Sequence, residues 1–199
     1  VVLVILSGNG VGEYSLLVGA HSRGMIWGFA WLTVIGTVVT LLPTLSATAI
    51  SPTARARCTR ALIVHCVGLS LAMALYAVGL TRVAGVAQLL VVLAAMLIIQ
   101  PVLSTVMGRS PRLTTATVAV IAGQLWMLAL CAGDAISAAV GAYPRTITLV
   151  LLPAFLGAGL LQLVTGVLHH LLPILTGARP DTTERTGYAR LLLINLGGL

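Results

Sequence analysis

The chemistry this sequence could do rests mainly on histidines inside apolar runs. His65, His169 and His170 each lie about five residues in from one end of such a run. Neutral imidazole binds iron and copper well, so a heme or metal ligand cluster is their sharpest reading. Ionisable groups at membrane depth are costly, which makes each one a functional candidate. The competing reading is a layer near the membrane interface, about 7 Å from a helix end, within reach of headgroups. Gln100 falls in that same expected layer, and Thr40 occupies the position equivalent to His170. His169 and His170 project about 100° apart on a helix, so they share a metal only with a third ligand nearby. At the opposite side are His21 and Asp134. By themselves both read as interface residues, Asp134 as a solvated one, with a proton path as its functional alternative.

Other chemistries find little. The three cysteines, Cys58, Cys66 and Cys131, form no CxxC, and an odd number builds no disulfide framework. They read as small buried apolar residues. No GxSxG, HExxH, P-loop or helix-opening GxGxxG occurs. Asp181 and Glu184 lie in a mixed-charge link and look solvated.

The elements that must position these residues are membrane helices. The chain is 59% hydrophobic and 8% charged, too apolar for a soluble domain to cover its surface. Runs of roughly 20 apolar residues cross a bilayer. Five complete runs are expected, at 20–45, 61–80, 83–106, 113–135 and 147–175, with partial ones at 1–7 and from 191. The links between them include the turn-rich 8–15 and the polar 46–59, 107–112 and 176–190. The fold class is therefore an all-α polytopic transmembrane bundle, forming one domain over 1–199. The ends look cut, as in an internal piece of a longer protein.

Net charge is +7, from eleven Arg and no Lys. Eight Arg (55, 57, 60, 109, 112, 179, 185 and 190) fall on one set of alternate links, and Arg23, Arg82 and Arg145 on the other. The positive-inside rule puts links 46–59, 107–112 and 176–190 in the cytoplasm of a plasma-membrane protein. Lipid headgroups explain this charge better than nucleic acid, since no basic stretch is interleaved with aromatics.

One phrase recurs. Gly36 to Ser46 reads GTVVTLLPTLS, and Gly166 to Thr176 reads GVLHHLLPILT, 130 positions later. Both end runs that point the same way, so the repeat is parallel with a four-helix period, unlike an inverted-repeat transporter. Pro43 and Pro173 are expected to terminate their helices.

Residues 20–45 resemble a span of the heme-copper oxidase subunit I-like superfamily, with His21, Gly28, Gly36 and Pro43 as anchors. They are similar to the membrane region of actinobacterial multicopper oxidase and copper nitrite reductase-like proteins. The stretch GAGLLQLVTGVLHHLLPILTGARP, followed by LLLINLGG, resembles that region's Leu-Leu-Pro helix end and Asn-Gly helix. The resemblance covers about three-quarters of the chain. It implies a bundle of four-helix units and, among the histidines, only His21 as a heme or metal ligand; His65, His169 and His170 are candidates from their own positions in apolar runs. Met25 stands where those proteins usually have Asn, and no three-His copper set appears. The implied function is the membrane module of a copper- or heme-linked redox protein. Such a module anchors a fused or associated cupredoxin-type copper domain and relays electrons or protons. The alternatives are a purely structural anchor without cofactor, and a small-solute or metal transporter.

Overall fold

The computed structural model describes residues 11–109, 113–142, 151–177 and 184–197. The expected partial run at 1–7, the loop Tyr143-Pro144-Arg145, the start of the run at 147, and Asp181 lie outside the described residues. Every described element is helical. In order they are α1 (Val11–Arg23), a π-helical stretch (Gly24–Ala30), α2 (Trp31–Leu45), α3 (Pro52–Ala77), α4 (Thr81–Arg109), α5 (Thr115–Ala139), a second π-helical stretch (Phe155–Leu161), α6 (Gln162–Thr176) and α7 (Glu184–Gly197). Five of the helical spans, Tyr14–Leu45, Pro52–Ala77, Thr81–Gly108, Thr115–Ala139 and Leu151–Thr176, are long and apolar enough to cross a bilayer. Large apolar side chains such as Phe29, Ile63, Leu93 and Leu168 stay exposed on their outer faces. Soluble monomers rarely expose so much apolar surface. The protein is a polytopic membrane bundle.

Consecutive spans pack as neighbours, and α2 joins the centre by packing on α4 and α5. The core runs through Trp27, Trp31, Leu42, Val91, Val102, Met127 and Phe155. Glycine sets the closest approaches. A Cβ on Gly85 would lie 2.4 Å from the Ala139 amide and 2.5 Å from the Ala135 carbonyl. In lipid no hydrophobic effect drives helices together, so such small-residue contacts carry the packing.

Two expected boundaries move. The link 8–15 is helical from Val11. The link 46–59 is mostly helix, because α3 starts at Pro52, nine residues early. Ser51 Oγ accepts a hydrogen bond from the Ala54 amide at 3.3 Å, and Pro52 fills the first helical position. This is a strong helix start. Arg55, Arg57 and Arg60 therefore ride on the first turns of a helix.

The repeat also differs from expectation in how it ends. Pro43 and Pro173 lie inside their helices, which run on to Leu45 and Thr176. Termination comes from the residues four places later. Ala47 has φ of 50° and Gly177 has φ of 65°, and they occupy equivalent positions of the two copies. At the first, the Thr48 amide donates to the Pro43 carbonyl at 2.8 Å and the Ala47 amide to the Thr44 carbonyl at 3.3 Å. That pair of bonds is a Schellman motif. The same pattern closes α3 at Gly79 and α5 at Gly141. Ala47 carries a Cβ where left-handed backbone favours glycine, so Ala47→Gly should raise stability by about 1 kcal/mol. Gly177→Ala should lower it by a similar amount. Detergent-micelle unfolding followed by circular dichroism checks both, and two changes of the same sign would contradict this account.

The two π-helical stretches each precede a 15-residue helix. They meet at Trp27 and Phe155, whose rings pack edge to face with centroids 5.6 Å apart. The repeated sequence is thus matched by a repeated backbone irregularity, and the two copies touch there.

Candidate functional site

The most polar place in the core is an ion pair. Arg23, at the end of α1, and Asp134, on α5, form the one salt bridge among the described residues. Arg23 Nη2 donates to Asp134 Oδ1 at 2.6 Å and Nε to Oδ2 at 3.0 Å, a two-pronged contact. Trp27 Nε1 and Gln88 Nε2 also donate to Oδ2, at 3.0 and 2.9 Å. Tyr76 donates to Gln88 Oε1 at 3.1 Å, and its ring lies 4.3 Å beneath the Arg23 guanidinium. The network joins four spans near the end of the bundle opposite the Arg-rich links.

The expectation of a solvated Asp134 is overturned. It is 1% exposed, and Arg23, counted above among link residues, is 6% exposed. The physical reason is mutual neutralisation. Each charge is bearable in the core only because the other faces it with hydrogen bonds to fill its remaining valences. Gln88 and Tyr76 were missed because an amide and a phenol inside apolar runs look incidental until the carboxylate they serve is placed. Spacing gave one signal: Arg23 and Trp27 lie four apart on one helix face.

His65 is 2% exposed at the middle of α3. Its Nε2 lies 3.0 Å from the Trp27 carbonyl. That carbonyl belongs to the first π-helical stretch, where the regular ladder is widened. Trp31 packs beside the imidazole, with centroids 6.3 Å apart. The expectation that His65 and Gln100 share one layer fails. Gln100 is exposed and accepts from Arg57 Nη1 at 3.4 Å. Arg57 lies eight residues before His65, about 12 Å along the helix. The early start of α3 accounts for the difference, because it carries His65 deeper into the span.

The other histidines lie elsewhere. His21 is exposed on α1, His169 is exposed on α6 and His170 is half-buried. Helix α6 packs chiefly on α5, while α3 packs on α4 and α1. Among the described residues, no three His, Cys, Asp or Glu side chains come close enough to hold a metal ion. The four histidines do not form one ligand set: His65 spends Nε2 on a backbone carbonyl, and the others are distributed over two helices.

Two further buried amides escaped the sequence reading. Gln124 on α5 and Gln162 on α6 are each 2% exposed, and their side-chain N and O atoms find no partner among the described residues. Helix α7 docks on α5 through Trp126, whose Nε1 donates to Asn195 Oδ1 at 2.7 Å. Comparison of the chain with known protein families, curated proteins and solved structures finds no match.

Proposed function

We propose that this chain is the integral membrane module of a copper- or heme-linked redox protein, and that its part is anchoring. The redox centre then belongs to a fused or associated cupredoxin-type domain. The observation that carries the anchoring role is the saturated charge network of the core. Its one described ion pair is saturated by Trp27 and Gln88, so it presents no free charge to a cargo or a proton. That also weighs against transport. The redox link rests on the resemblance of residues 20–45, 157–180 and 191–198 alone.

Orientation follows from charge. With Arg23 placed in the core, the alternate links carry eight Arg against Arg82 and Arg145. The imbalance puts the Arg-rich links in the cytoplasm of a plasma-membrane protein. His21 and the ion-pair end then face the outer side, where an extramembranous copper domain would be held.

Metal analysis and absorption spectra of the purified full-length protein test this reading. Copper or heme should be present and should survive His21→Ala and the double change His169→Ala/His170→Ala. A Soret band lost in either variant would place a ligand inside the module and overturn the anchoring role. A preparation without copper or iron would sink the redox link and leave a structural anchor. In right-side-out vesicles of the same protein, Arg55→Cys should resist an impermeant maleimide, and rapid labelling would reverse the orientation.

A further inference from the structure

A cavity of about 270 Å³ opens between α2, α3 and α4 at membrane depth. Gly36, Ala61, Leu62, Ala94 and Ala95 line it, and His65 is the one strongly polar side chain in its wall. The wall is open because of Gly36, where an added Cβ would meet nothing within 4 Å. The equivalent glycine of the second copy, Gly166, behaves oppositely. A Cβ there would lie 2.8 Å from Ala119 Cβ and 2.9 Å from the Ala116 carbonyl. One letter of the repeat thus packs a helix pair in one copy and opens a chamber in the other.

The polarity of the chamber follows from hydrogen-bond chemistry. The Trp27 carbonyl only accepts, so His65 Nε2 carries the hydrogen of that bond. In the neutral imidazole Nδ1 then keeps a lone pair, and the hydrogen bond described for His65 is made through Nε2. The otherwise apolar lining offers that lone pair no strong donor. Exposed Leu62 at the rim opens the chamber toward lipid.

We propose that this cavity binds a lipid-soluble phenol or ring alcohol, whose hydroxyl donates to His65 Nδ1 while its hydrocarbon part fills the space beside Gly36. The site discriminates by hydrogen-bond direction. A ketone or ether of the same shape brings a second acceptor to an acceptor and gains nothing. A hydroxyl supplies the missing donor, and the small-residue wall admits one ring system entering from the bilayer.

The probe pair is 2-naphthol and 2-methoxynaphthalene, measured by equilibrium dialysis on the full chain in phosphatidylcholine nanodiscs, with empty nanodiscs as background. We expect saturable binding of 2-naphthol, about 10-fold tighter than its ether, the scale of one hydrogen bond. His65→Phe should bring the two affinities within about 2-fold, since only the donor preference is lost. Gly36→Leu fills the space without striking a neighbour at Cβ, so it should fold normally and lose saturable binding of both probes. Equal affinities in the parent protein would mean an acyl-chain or solvent cavity and would overturn the proposal. So would saturable 2-naphthol binding that persists in Gly36→Leu. Because Gly36→Leu is read independently, a failure of His65→Phe to fold leaves the test intact.

Discussion

Asp134→Ala should lose about 3–5 kcal/mol of stability, the cost of breaking a buried ion pair from one side. The loss has three parts. Arg23 is left as an unpaired cation in the core, and Trp27 Nε1 and Gln88 Nε2 lose their common acceptor. Asp134→Asn should fall between the two, because it keeps the shape and part of the acceptor but not the charge. The double change Arg23→Met/Asp134→Leu should recover most of the loss, since two apolar groups of similar bulk need no compensation. Denaturant unfolding in micelles measures all three. If Asp134→Ala unfolds within about 1 kcal/mol of the parent, the ion pair does not hold the four spans together.

Gly85→Leu should cost about 3 kcal/mol, at the upper end of overpacking effects. The contact it disturbs is backbone against backbone. A Cβ at position 85 already falls 2.4 Å from the Ala139 amide and 2.5 Å from the Ala135 carbonyl, and neither can rotate away as a side chain can. Helices α4 and α5 must separate, and that strains the neighbouring Gln88–Asp134 bond at 2.9 Å. The effect should therefore be more than additive with Asp134→Asn, because the two sites share one network. Gly133→Leu is the control, since nothing lies within 4 Å of its Cβ. Equal effects at 85 and 133 would remove close packing as the cause.

The histidines show where sequence reading reached its limit. A polar residue in an apolar run marks a position as unusual, and His65 was marked. Its depth depended on a helix start that the composition of 46–59 disguised, because arginines look like a link until Ser51 and Pro52 are recognised as a start. Asp134 was marked too, but its partner lies 111 residues away. Spacing within one helix carries no information about which helix stands opposite. Gln88 was unmarked because its importance derives wholly from Asp134.

What the sequence determined by itself is what depends on local composition. Apolar runs of bilayer length dictate helices, because no other open structure satisfies backbone groups in lipid. The alternation of those runs dictates a multi-pass bundle, and the recurrence of one phrase after 130 positions dictates two equivalent helix ends. Tertiary structure decided everything that depends on facing surfaces. It turned Asp134 from an interface residue into the centre of a four-span network and moved the helix stops from proline to Ala47 and Gly177. It also gave Gly36 and Gly166 opposite tasks. The helix stops are local turns, but the ion pair and the two glycines share one physical reason. A side chain's role in lipid is set by what stands across from it within a few ångströms, and the linear sequence does not record that pairing.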